Sequence, residues 1–500
     1  MTSILIVAFD GLQPAQVTAE LMPNLSTLAA EGVTFDRHHP VFPTVTRINA
    51  ASIVTGRYPG VHGLAANMLV VREYDPYVAF SALEPVLSRV ARKLGSVLLV
   101  PTLADILARH GSEYIAVGTG TSGNAYMHNP NAERSGGATI HPDFCLPRDL
   151  HDEIVGRFGP WPGEDAPGNP RLSHAVDVMT EYVLAERRPA VSLVWFCEPD
   201  HAQHAYGVGS ETADGALREA DRQFGRLLAW LDSDGRAADT DVLVVSDHGY
   251  STISGVVDLE ALVREAGFPS GERPGGVTVA PNGGSALFYV HDRDRATADR
   301  LASWLMAQPW CGAMVSSEAV DGLAGTLPAR LIGCEGERAP ELAVSMRWDS
   351  EPNATGYAGR AFSTGGAVGL GQHGSMSPHE MRNVLFAKGP SFKRGVVSGV
   401  PSGNLDLTPT ILHVLGLSTE EPVDGRVLNE AVDGGPDPED LTWLSEVHPA
   451  ERALGSGTYR QEITVSTVGA TAYVDSGRAS LHLIARSSSA PDGSSTLPGG

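Results

Sequence analysis

The sequence predicts an α/β protein with a central, mostly parallel sheet between helices. Short runs rich in Val, Ile and Leu, such as Ser3–Phe9, have the composition of strands that are buried on both faces. Amphipathic helical segments alternate with these runs, which is the order that a parallel sheet requires. Acidic and histidine side chains follow several of the runs directly, at the strand ends where such sheets bind their ligands.

The predicted elements keep this alternation along the chain. A helix follows the first strand, with Pro23 in its first turn and Gly32 after its last residue. Further strands are predicted at Tyr114–Val117, Val191–Cys197, Asp241–Val245 and Asn383–Ala387, and further helices at Leu103–His110, Leu172–Arg187, Glu211–Leu231 and Leu407–Leu415. Residues 121–170 are rich in Gly, Pro and Asn, and we expect an excursion from the core there.

The segment pattern predicts one catalytic core that is interrupted by an insertion. Residues 1–250 and 371–430 are assigned to the core, and residues 251–370, which contain their own strands and helix, to a cap insertion over the site. Residues 431–486 are expected to form a small C-terminal β appendage. Residues 487–500 are low in complexity, and we expect a disordered tail.

Composition narrows the classes of function and location. The net charge of −23 argues against a nucleic-acid-binding surface, although bound metal ions can still attract an anionic substrate. No apolar run approaches the length of about 18 residues that predicts a membrane span, and the first ten residues lack the features of a signal peptide. The four cysteines, which form no CxxC pair, predict free thiols and a cytoplasmic location. They are Cys145, Cys197, Cys311 and Cys334.

Residues 42–56 are predicted to form a loop that enters a short helix. Thr46 has the side chain and position of an N-cap, and Gly56 suits the left-handed residue that ends a helix. Backbone N–H groups and the helix dipole favour negative charge at a helix N-terminus. A hydroxyl there suits an ordinary cap, and it equally suits a nucleophile beside a phosphate group.

Six residues of metal-binding types lie at predicted strand ends, on the loops that follow them, or in a glycine-rich segment. They are Asp10, Asp200, His204, Asp247, His248 and His373. Carboxylates and imidazoles together are the ligands of zinc and similar ions, and six of them are enough for two ions. Two ions about 3.5–4 Å apart can hold the attacking and leaving oxygens of a phosphoryl displacement. The joint pattern therefore favours a two-metal site over unrelated loop residues.

In these residues the chain resembles the type I phosphodiesterase / nucleotide pyrophosphatase family of the alkaline phosphatase superfamily. The matching segments run in family order through roughly residues 1–430. They are Phe9–Gly11, Phe42–Thr46, Thr55–Gly63, Glu198–Asp200, His204–Gly207, Ser246–Gly249 and Gln372–Gly374. The resemblance implies an alkaline-phosphatase-like fold and a two-metal hydrolase that acts on small phosphate-ester, pyrophosphate or phosphonate substrates.

The resemblance also assigns roles to residues of this chain. It implies two divalent metal ions, with Zn²⁺ as the first expectation. One ion, which activates water, would be held by Asp200, His204 and His373, and the other by Asp10, Asp247, His248 and the Thr46 oxygen. Thr46 would attack phosphorus and form a phosphothreonine intermediate, while Asn67 would bind a non-bridging phosphate oxygen. His62 lies in a matching segment without a family role, and we expect a structural histidine.

One residue departs from the family pattern. Members that cleave nucleotides usually carry an aromatic residue after the nucleophile, and this chain has Arg47. An arginine can bind phosphate or carboxylate through two N–H groups, which would suit a more anionic substrate such as a monoester or a phosphonate. Equally, Arg47 would be an exposed residue in the first turn of the helix, and both interpretations stay open.

Several functions are compatible with the predicted site. The first hypothesis is a phosphodiesterase or pyrophosphatase, and the alternatives on the same site are a phosphomonoesterase and a phosphonoacetate-type hydrolase. The last ranks lower because that activity uses lysines near the site, and Lys93 is the only lysine before residue 388. A phosphate-transferring mutase and an inactive binding protein are further alternatives. The intact Thr46 and the six metal-type residues argue against an inactive protein.

Overall fold

The structure, a computed structural model, describes residues 2–164 and 169–483. The tail predicted at residues 487–500, and the last three residues of the predicted appendage, lie outside these ranges. The fold is α/β as predicted, with a nine-stranded sheet at its centre. No helix within the described ranges has both the length and the apolar character needed to cross a membrane.

The central sheet is mostly parallel. In spatial order its strands are Val396–Ser398, Val33–Phe35, Leu385–Lys388, Thr240–Val245, Ser3–Phe9, Val191–Phe196, Tyr114–Gly118, Ala138–His141 and Phe144–Leu146. Five of the eight neighbouring pairs are parallel. The antiparallel pairs involve Leu385–Lys388 and the edge strand Phe144–Leu146. The first strand of the chain therefore lies in the middle, between two parallel neighbours.

Both faces of the central strand are buried, as its apolar sequence predicts. Ile4, Ile6 and Ala8 belong to one hydrophobic cluster, and Leu5 and Val7 belong to another. Side chains alternate between the two faces of a strand, so the two clusters are the two helix-covered sides of the sheet. This double burial fixes the sheet register, because a slip by one residue would exchange the two sets of side chains.

The helices of the described residues pack mainly around this sheet. Their bounds are Pro23–Glu31, Thr46–Thr55, Pro59–His62, Glu84–Leu94, Leu103–Arg109, Ser122–His128, Ala132–Ser135, Leu150–Phe158, Pro170–Asp177, Asp200–Tyr206, Glu211–Ser233, Leu259–Glu265, Arg295–Met306 and Leu407–Val414, with a π-helix at Val178–Arg187. The long helix Glu211–Ser233 buries Leu217, Phe224 and Leu227 at helical spacing, and Ser210 caps its N-terminus.

The expectation of an excursion at residues 121–170 is wrong for most of that segment. Ala138–His141 and Phe144–Leu146 extend the central sheet, and Ser122–His128 is a buried helix. Glycine and proline content misled the prediction because these residues serve the turns between short elements. Leu146–Pro147, for example, is a cis peptide bond that follows the edge strand.

Three smaller sheets involve the residues after 250. A five-stranded sheet contains Val277–Asn282, Ser285–Val290, Leu342–Met346, Cys311–Ser316 and Leu327–Pro328. A four-stranded sheet contains Trp348–Pro352, Ala358–Ser363, Ser251–Val256 and Gly371–Gln372. The C-terminal sheet contains Leu444–Leu454, Gly457–Val468 and Thr471–Leu483. Short two-stranded pairs join Ser402–Gly403 to His38–His39 and Met68–Leu69 to Phe80–Ser81. The division of the chain into core, cap and appendage stays a prediction.

The C-terminal sheet is joined to the rest of the protein by partly buried polar contacts. Asp475 accepts hydrogen bonds from Arg37, His39 and Ser466. Burial acts to raise the pKa of Asp475, but the hydrogen bond and charge of His39, with help from Ser466 and Arg37, lower that pKa to about 2. The carboxylate therefore stabilises the folded protein in its ionised form.

We predict that Asp475→Asn destabilises the protein in a pH-dependent way. The folded pKa lies below the ordinary value of an unfolded aspartate, so the stabilisation, about 2 kcal/mol, is complete above pH 4 and is lost as the pH falls towards 2. Urea unfolding should show a lower midpoint for the variant at pH 7 and a narrower difference at pH 3. Glu451→Gln, which removes an exposed ion pair with Arg460 in the same sheet, is the control and should change stability by less than ~0.5 kcal/mol. An equal loss at both pH values would contradict the assignment.

Candidate metal centre and nucleophile

The carboxyl ends of three adjacent parallel strands bring acidic side chains together. Ser3–Phe9 ends at Asp10, Val191–Phe196 leads to Asp200, and Thr240–Val245 leads to Asp247. The backbone N–H of Asp200 donates to the carbonyl of Asp10 over 3.0 Å. The sheet topology thus places the predicted ligands at one edge, as its parallel order requires.

One group of candidate ligands is formed by Asp200, His204 and His373. The Nε2 atoms of the two histidines lie 3.1 Å apart, and they lie 3.3 and 3.4 Å from Oδ1 of Asp200. His204 is exposed, whereas His373 is buried. Three ligand atoms therefore converge at a point that solvent can reach.

The second group is formed by Asp10, Asp247 and His248, all of which are buried. Nε2 of His248 lies 3.1 Å from Oδ2 of Asp247 and 3.6 Å from Oδ1 of Asp10. The rings of His248 and His373 stack with centroids 3.7 Å apart, so the two groups are neighbours. The six predicted ligand residues are thus brought together as two sets of three.

Each of the three histidines is oriented by a backbone carbonyl at its Nδ1 atom. The acceptors are Gly371 for His204 at 3.1 Å, Thr44 for His373 at 2.8 Å and Gly249 for His248 at 3.0 Å. An imidazole that donates from Nδ1 leaves a lone pair on Nε2. This orientation is typical of metal-binding histidines, whose outer nitrogen is fixed by a second hydrogen bond.

The buried carboxylates also fit a cation. Oδ1 of Asp10 and Oδ2 of Asp247 are buried without a hydrogen-bond partner among the described residues. Burial raises the pKa of Asp10 well above its ordinary value, and the charges of Asp247 and Asp200 raise it further. Buried, unpaired carboxylates are unfavourable, so a divalent ion is the group that this donor set accommodates.

Thr46 is the first residue of the helix Thr46–Thr55, which corrects the prediction that it is the N-cap. The N-cap is Val45, and no side chain caps this helix. The hydroxyl of Thr46 is therefore not used by the helix backbone. Its Oγ1 lies 3.5 Å from Nε2 of His248, next to the buried ligand group. Gly56 ends the helix in the left-handed conformation, as predicted, with φ of 66°.

Asn67 lies against the start of the same helix. Its Oδ1 accepts a hydrogen bond of 2.9 Å from the backbone N–H of Arg47. Its Nδ2 makes no hydrogen bond to the residues that the structure describes. The amide is thereby oriented with its amino group free beside Thr46.

Arg47 is buried, which corrects the interpretation that it is exposed on the first helical turn. Only 8% of its surface is accessible. Burial lowers the pKa of Arg47 to about 10, while the charges of Asp10 and Asp200 raise it. The guanidinium is therefore a cation at neutral pH, and it lies within electrostatic reach of both ligand groups.

Buried side-chain networks support the site, and sequence reasoning did not identify them. Glu380 accepts hydrogen bonds from the backbone and hydroxyl of Ser375 at 2.6 and 2.7 Å and from the Thr44 hydroxyl at 3.1 Å. Thr44 in turn orients His373 through its carbonyl. The backbone carbonyl of Glu380 accepts from Gly249, beside His248. One buried glutamate thus connects segments that carry ligands of both groups.

A second network connects the helix Thr46–Thr55 to the loop that carries Asp247. The amide of Asn404 donates to Oδ1 of Asn49 and to the carbonyl of Asp247, both at 2.9 Å. Trp195 and Tyr250 act on the ligands directly, since they donate to Asp10 over 2.9 Å and to Asp200 over 2.8 Å. These partners are far apart in sequence and belong to no spacing pattern, so only the folded chain reveals them.

His62 takes no part in either ligand group. Its Nε2 contacts the hydroxyl of Ser52 at 3.1 Å, and its Nδ1 accepts from the backbone of Leu64. Burial lowers the pKa of His62 to about 3. Its contacts are those of a neutral histidine within the packing of the chain.

Comparison with known protein families agrees with this arrangement. The sequence profile of the type I phosphodiesterase / nucleotide pyrophosphatase family matches residues 4–368. The chain belongs to this family. The match spans the strands that end at Asp10, Asp200 and Asp247, together with the helix that begins at Thr46.

Individual relatives in the family are distant in sequence. An ectonucleotide pyrophosphatase/phosphodiesterase of Caenorhabditis elegans is 23% identical over 442 residues, which are 85% of this chain and 48% of that protein. A bis(5'-adenosyl)-triphosphatase of Mus musculus is 24% identical over 421 residues, 83% of this chain and 77% of the relative. The chain thus spans about half the length of two nematode relatives, with 48% of one and 44% of the other covered. It covers 77% of the mouse protein.

A solved structure shares the fold. Murine ectonucleotide pyrophosphatase / phosphodiesterase 5, in an inactive form in complex with AMP, superimposes with a TM-score of 0.60 at 18% identity. The match covers 85% of this chain and 97% of the murine chain. The alkaline-phosphatase-like fold of this family member is therefore confirmed.

We predict that the two ligand groups bind metal separately. His204→Gln should lower the zinc content after dialysis by about one equivalent, and Asp247→Asn should lower it by about one equivalent at the other group, because each variant removes one of three protein ligands. Elemental analysis of the purified variants gives the count. His413→Gln is the control, since that histidine is exposed on the helix Leu407–Val414. Unchanged zinc in both ligand variants would contradict the assignment.

We further predict that Glu380→Gln weakens zinc binding although Glu380 lies in neither ligand group. The amide of the variant places an N–H opposite the donors that the carboxylate accepts from, Thr44 and Ser375. The unpaired donors should lower the free energy of unfolding by about 1–3 kcal/mol. A shift of Thr44 would also release His373 from its orientation. Competition with a chelator should show a 10–100-fold weaker affinity. Glu439→Gln, at an exposed position, is the control. Lower stability with unaltered zinc affinity would assign Glu380 a purely structural role.

Proposed function

We propose that this protein is a two-metal phosphoric ester hydrolase of the phosphodiesterase / nucleotide pyrophosphatase type, acting through a phosphothreonine at Thr46. The observation that carries the proposal is the hydroxyl of Thr46, which does not cap the helix. It lies 3.5 Å from Nε2 of His248, beside the two candidate ligand groups of three residues each. Family membership supports the same class of reaction. The names of relatives, which include a bis(5'-adenosyl)-triphosphatase, support pyrophosphate-linked substrates.

The residues of the two groups would hold two divalent ions, with zinc as the proposed metal. Such ions act as Lewis acids that favour ionised oxygen nucleophiles and stabilise the charge of a phosphoryl group in transfer. Asp200, His204 and His373 would hold one ion, and Asp10, Asp247 and His248 the other. The carboxylates and Nε2 lone pairs of these groups are already oriented by Tyr250, Trp195 and the three backbone carbonyls, so the protein reorganises little on metal binding.

The remaining steps use groups of the chain itself. Oγ1 of Thr46 gives its proton to solvent and forms a bond to phosphorus as the bond to the leaving alkoxide or phosphate breaks, and the leaving oxygen keeps the electron pair. Water then displaces Oγ1 from phosphorus and restores the threonine hydroxyl. The free Nδ2 of Asn67 donates to a non-bridging oxygen throughout, and the N-terminus of the helix Thr46–Thr55 favours the negative charge.

A phosphomonoesterase on the same site is the second candidate. The buried cation Arg47 favours it, because monoesters carry one more negative charge than diesters.

A cytoplasmic location stays a prediction that rests on cysteine usage, and the four cysteines are free and buried.

The nucleophile is tested with Thr46→Ala. We expect kcat/KM for bis(p-nitrophenyl) phosphate to fall by at least ~1000-fold, with zinc content retained, since the attacking oxygen is lost. Wild-type protein quenched in acid during turnover should carry a phosphoryl group on Thr46 by mass spectrometry, and the variant should not. Thr55→Ala is the matched control, because that hydroxyl donates to the Ala51 carbonyl at the far end of the same helix.

The substrate class is decided by the ratio of kcat/KM values for bis(p-nitrophenyl) phosphate and p-nitrophenyl phosphate. A preference for the diester that disappears in Thr46→Ala supports the first proposal, and a preference for the monoester supports the second. If the zinc-loaded protein hydrolyses neither compound, the proposal that it hydrolyses phosphate diesters or monoesters is refuted. Residual activity of Thr46→Ala near the wild-type level would refute the covalent route.

A further inference from the structure

Arg47 is held in place by neutral oxygen atoms. Its Nη1 donates to the hydroxyl of Ser81 at 3.2 Å and to the carbonyl of Asn67 at 3.3 Å. Its Nε donates to the hydroxyl of Thr121 at 3.4 Å. Its Nη2 makes no hydrogen bond to any residue that the structure describes. The guanidinium is thus fixed through two of its nitrogens, while the third keeps its N–H groups for a ligand.

No carboxylate in the described ranges forms an ion pair with Arg47. Other arginines with little exposure do have one: Arg338 pairs with Glu73, Arg72 with Glu341 and Arg426 with Glu430. A buried cation without a counter-ion is unfavourable, so a buried arginine that is paired only with neutral groups is expected to meet an anion in function.

The missing side chain of Gly123 leaves the space that the side chain of Arg47 occupies. A Cβ atom at Gly123 would lie 3.0 Å from Cδ of Arg47 and 1.8 Å from the carbonyl oxygen of Ala82. Any side chain at position 123 would therefore displace Arg47 or the Ala82 backbone. Arg47 is thus enclosed next to Thr46 by three segments, around residues 67, 81–82 and 121–123. An arginine without a function at the surface would not need this enclosure.

We propose that Arg47, held by Ser81 and Thr121, forms a subsite for a second anionic oxygen of the substrate. The inference rests on the proposed function, because the first anionic oxygen belongs to the phosphoryl group that Thr46 attacks. The ligand is an additional phosphate or carboxylate oxygen near the reacting phosphorus. Phosphate monoesters, pyrophosphate-linked compounds and phosphonocarboxylates carry such an oxygen, and simple diesters with a single charge lack it.

Binding tests the subsite independently of turnover. Zinc-loaded wild-type protein, Arg47→Met and Arg109→Met are titrated calorimetrically with inorganic phosphate and with dimethyl phosphate at pH 8. We expect Arg47→Met to bind inorganic phosphate at least ~10-fold more weakly, with less than ~3-fold change for dimethyl phosphate, because only inorganic phosphate offers the extra anionic oxygen. Arg109→Met, which alters an exposed ion pair with Glu421, should match the wild type. Equal effects on both ligands, or none, would overturn the subsite.

Turnover then identifies the source of the second anionic oxygen. The arms are p-nitrophenyl phosphate, a dinucleoside pyrophosphate and phosphonoacetate, with bis(p-nitrophenyl) phosphate as the singly charged reference. The compound whose kcat/KM falls most in Arg47→Met, by at least ~10-fold relative to the reference, identifies the substrate class. A uniform loss across all four compounds would overturn the subsite and leave the hydrolase proposal intact. If the wild type hydrolyses none of them, the hydrolase proposal fails, and the phosphate titration still decides the role of Arg47.

Discussion

The site depends on the burial of negative charge at the carboxyl edge of the central sheet. Asp10, Asp200 and Asp247 follow three adjacent parallel strands, and the fold provides no lysine or arginine within ion-pair distance of them among the described residues. Mutual repulsion and desolvation make this arrangement unfavourable for the bare chain. Three histidines with Nδ1 bonded to backbone carbonyls converge on the same place, and the combined set of donors fits divalent ions.

The surrounding structure can be understood as the scaffold that holds this cluster in one geometry. Double burial of Ser3–Phe9 fixes the register of the strands, and the backbone carbonyls of Thr44, Gly249 and Gly371 fix the histidine rings. Glu380 and Asn404 connect loops that are distant in sequence. Hydrogen-bonded groups of this kind are rigid because every buried polar atom that moves would lose a partner. The site is therefore formed largely before any ligand arrives.

Thr46 and Arg47 lie on one helix but have different surroundings. The helix does not use the hydroxyl of Thr46, because the extended Val45 takes the N-cap position. Neutral oxygens of Asn67, Ser81 and Thr121 orient the guanidinium of Arg47 without neutralising it. Adjacent residues can have such different surroundings because consecutive side chains on a helix point in directions about 100° apart.

The sequence by itself determined the sheet class, the family and the identity of six ligand-type residues, because apolar periodicity and motifs at strand ends are local signals. It misjudged residues 121–170 and left the exposure of Arg47 open. Short strands within a glycine-rich segment gain their stability from neighbours in the sheet, and the burial of a helical residue depends on segments that pack over it. The family resemblance already implied how the six residues divide into two groups, and the structure brings them together in that division. Only the tertiary structure decided which partners orient them. Those contacts join residues up to about 330 positions apart, as between Thr44 and His373, and no local pattern encodes them.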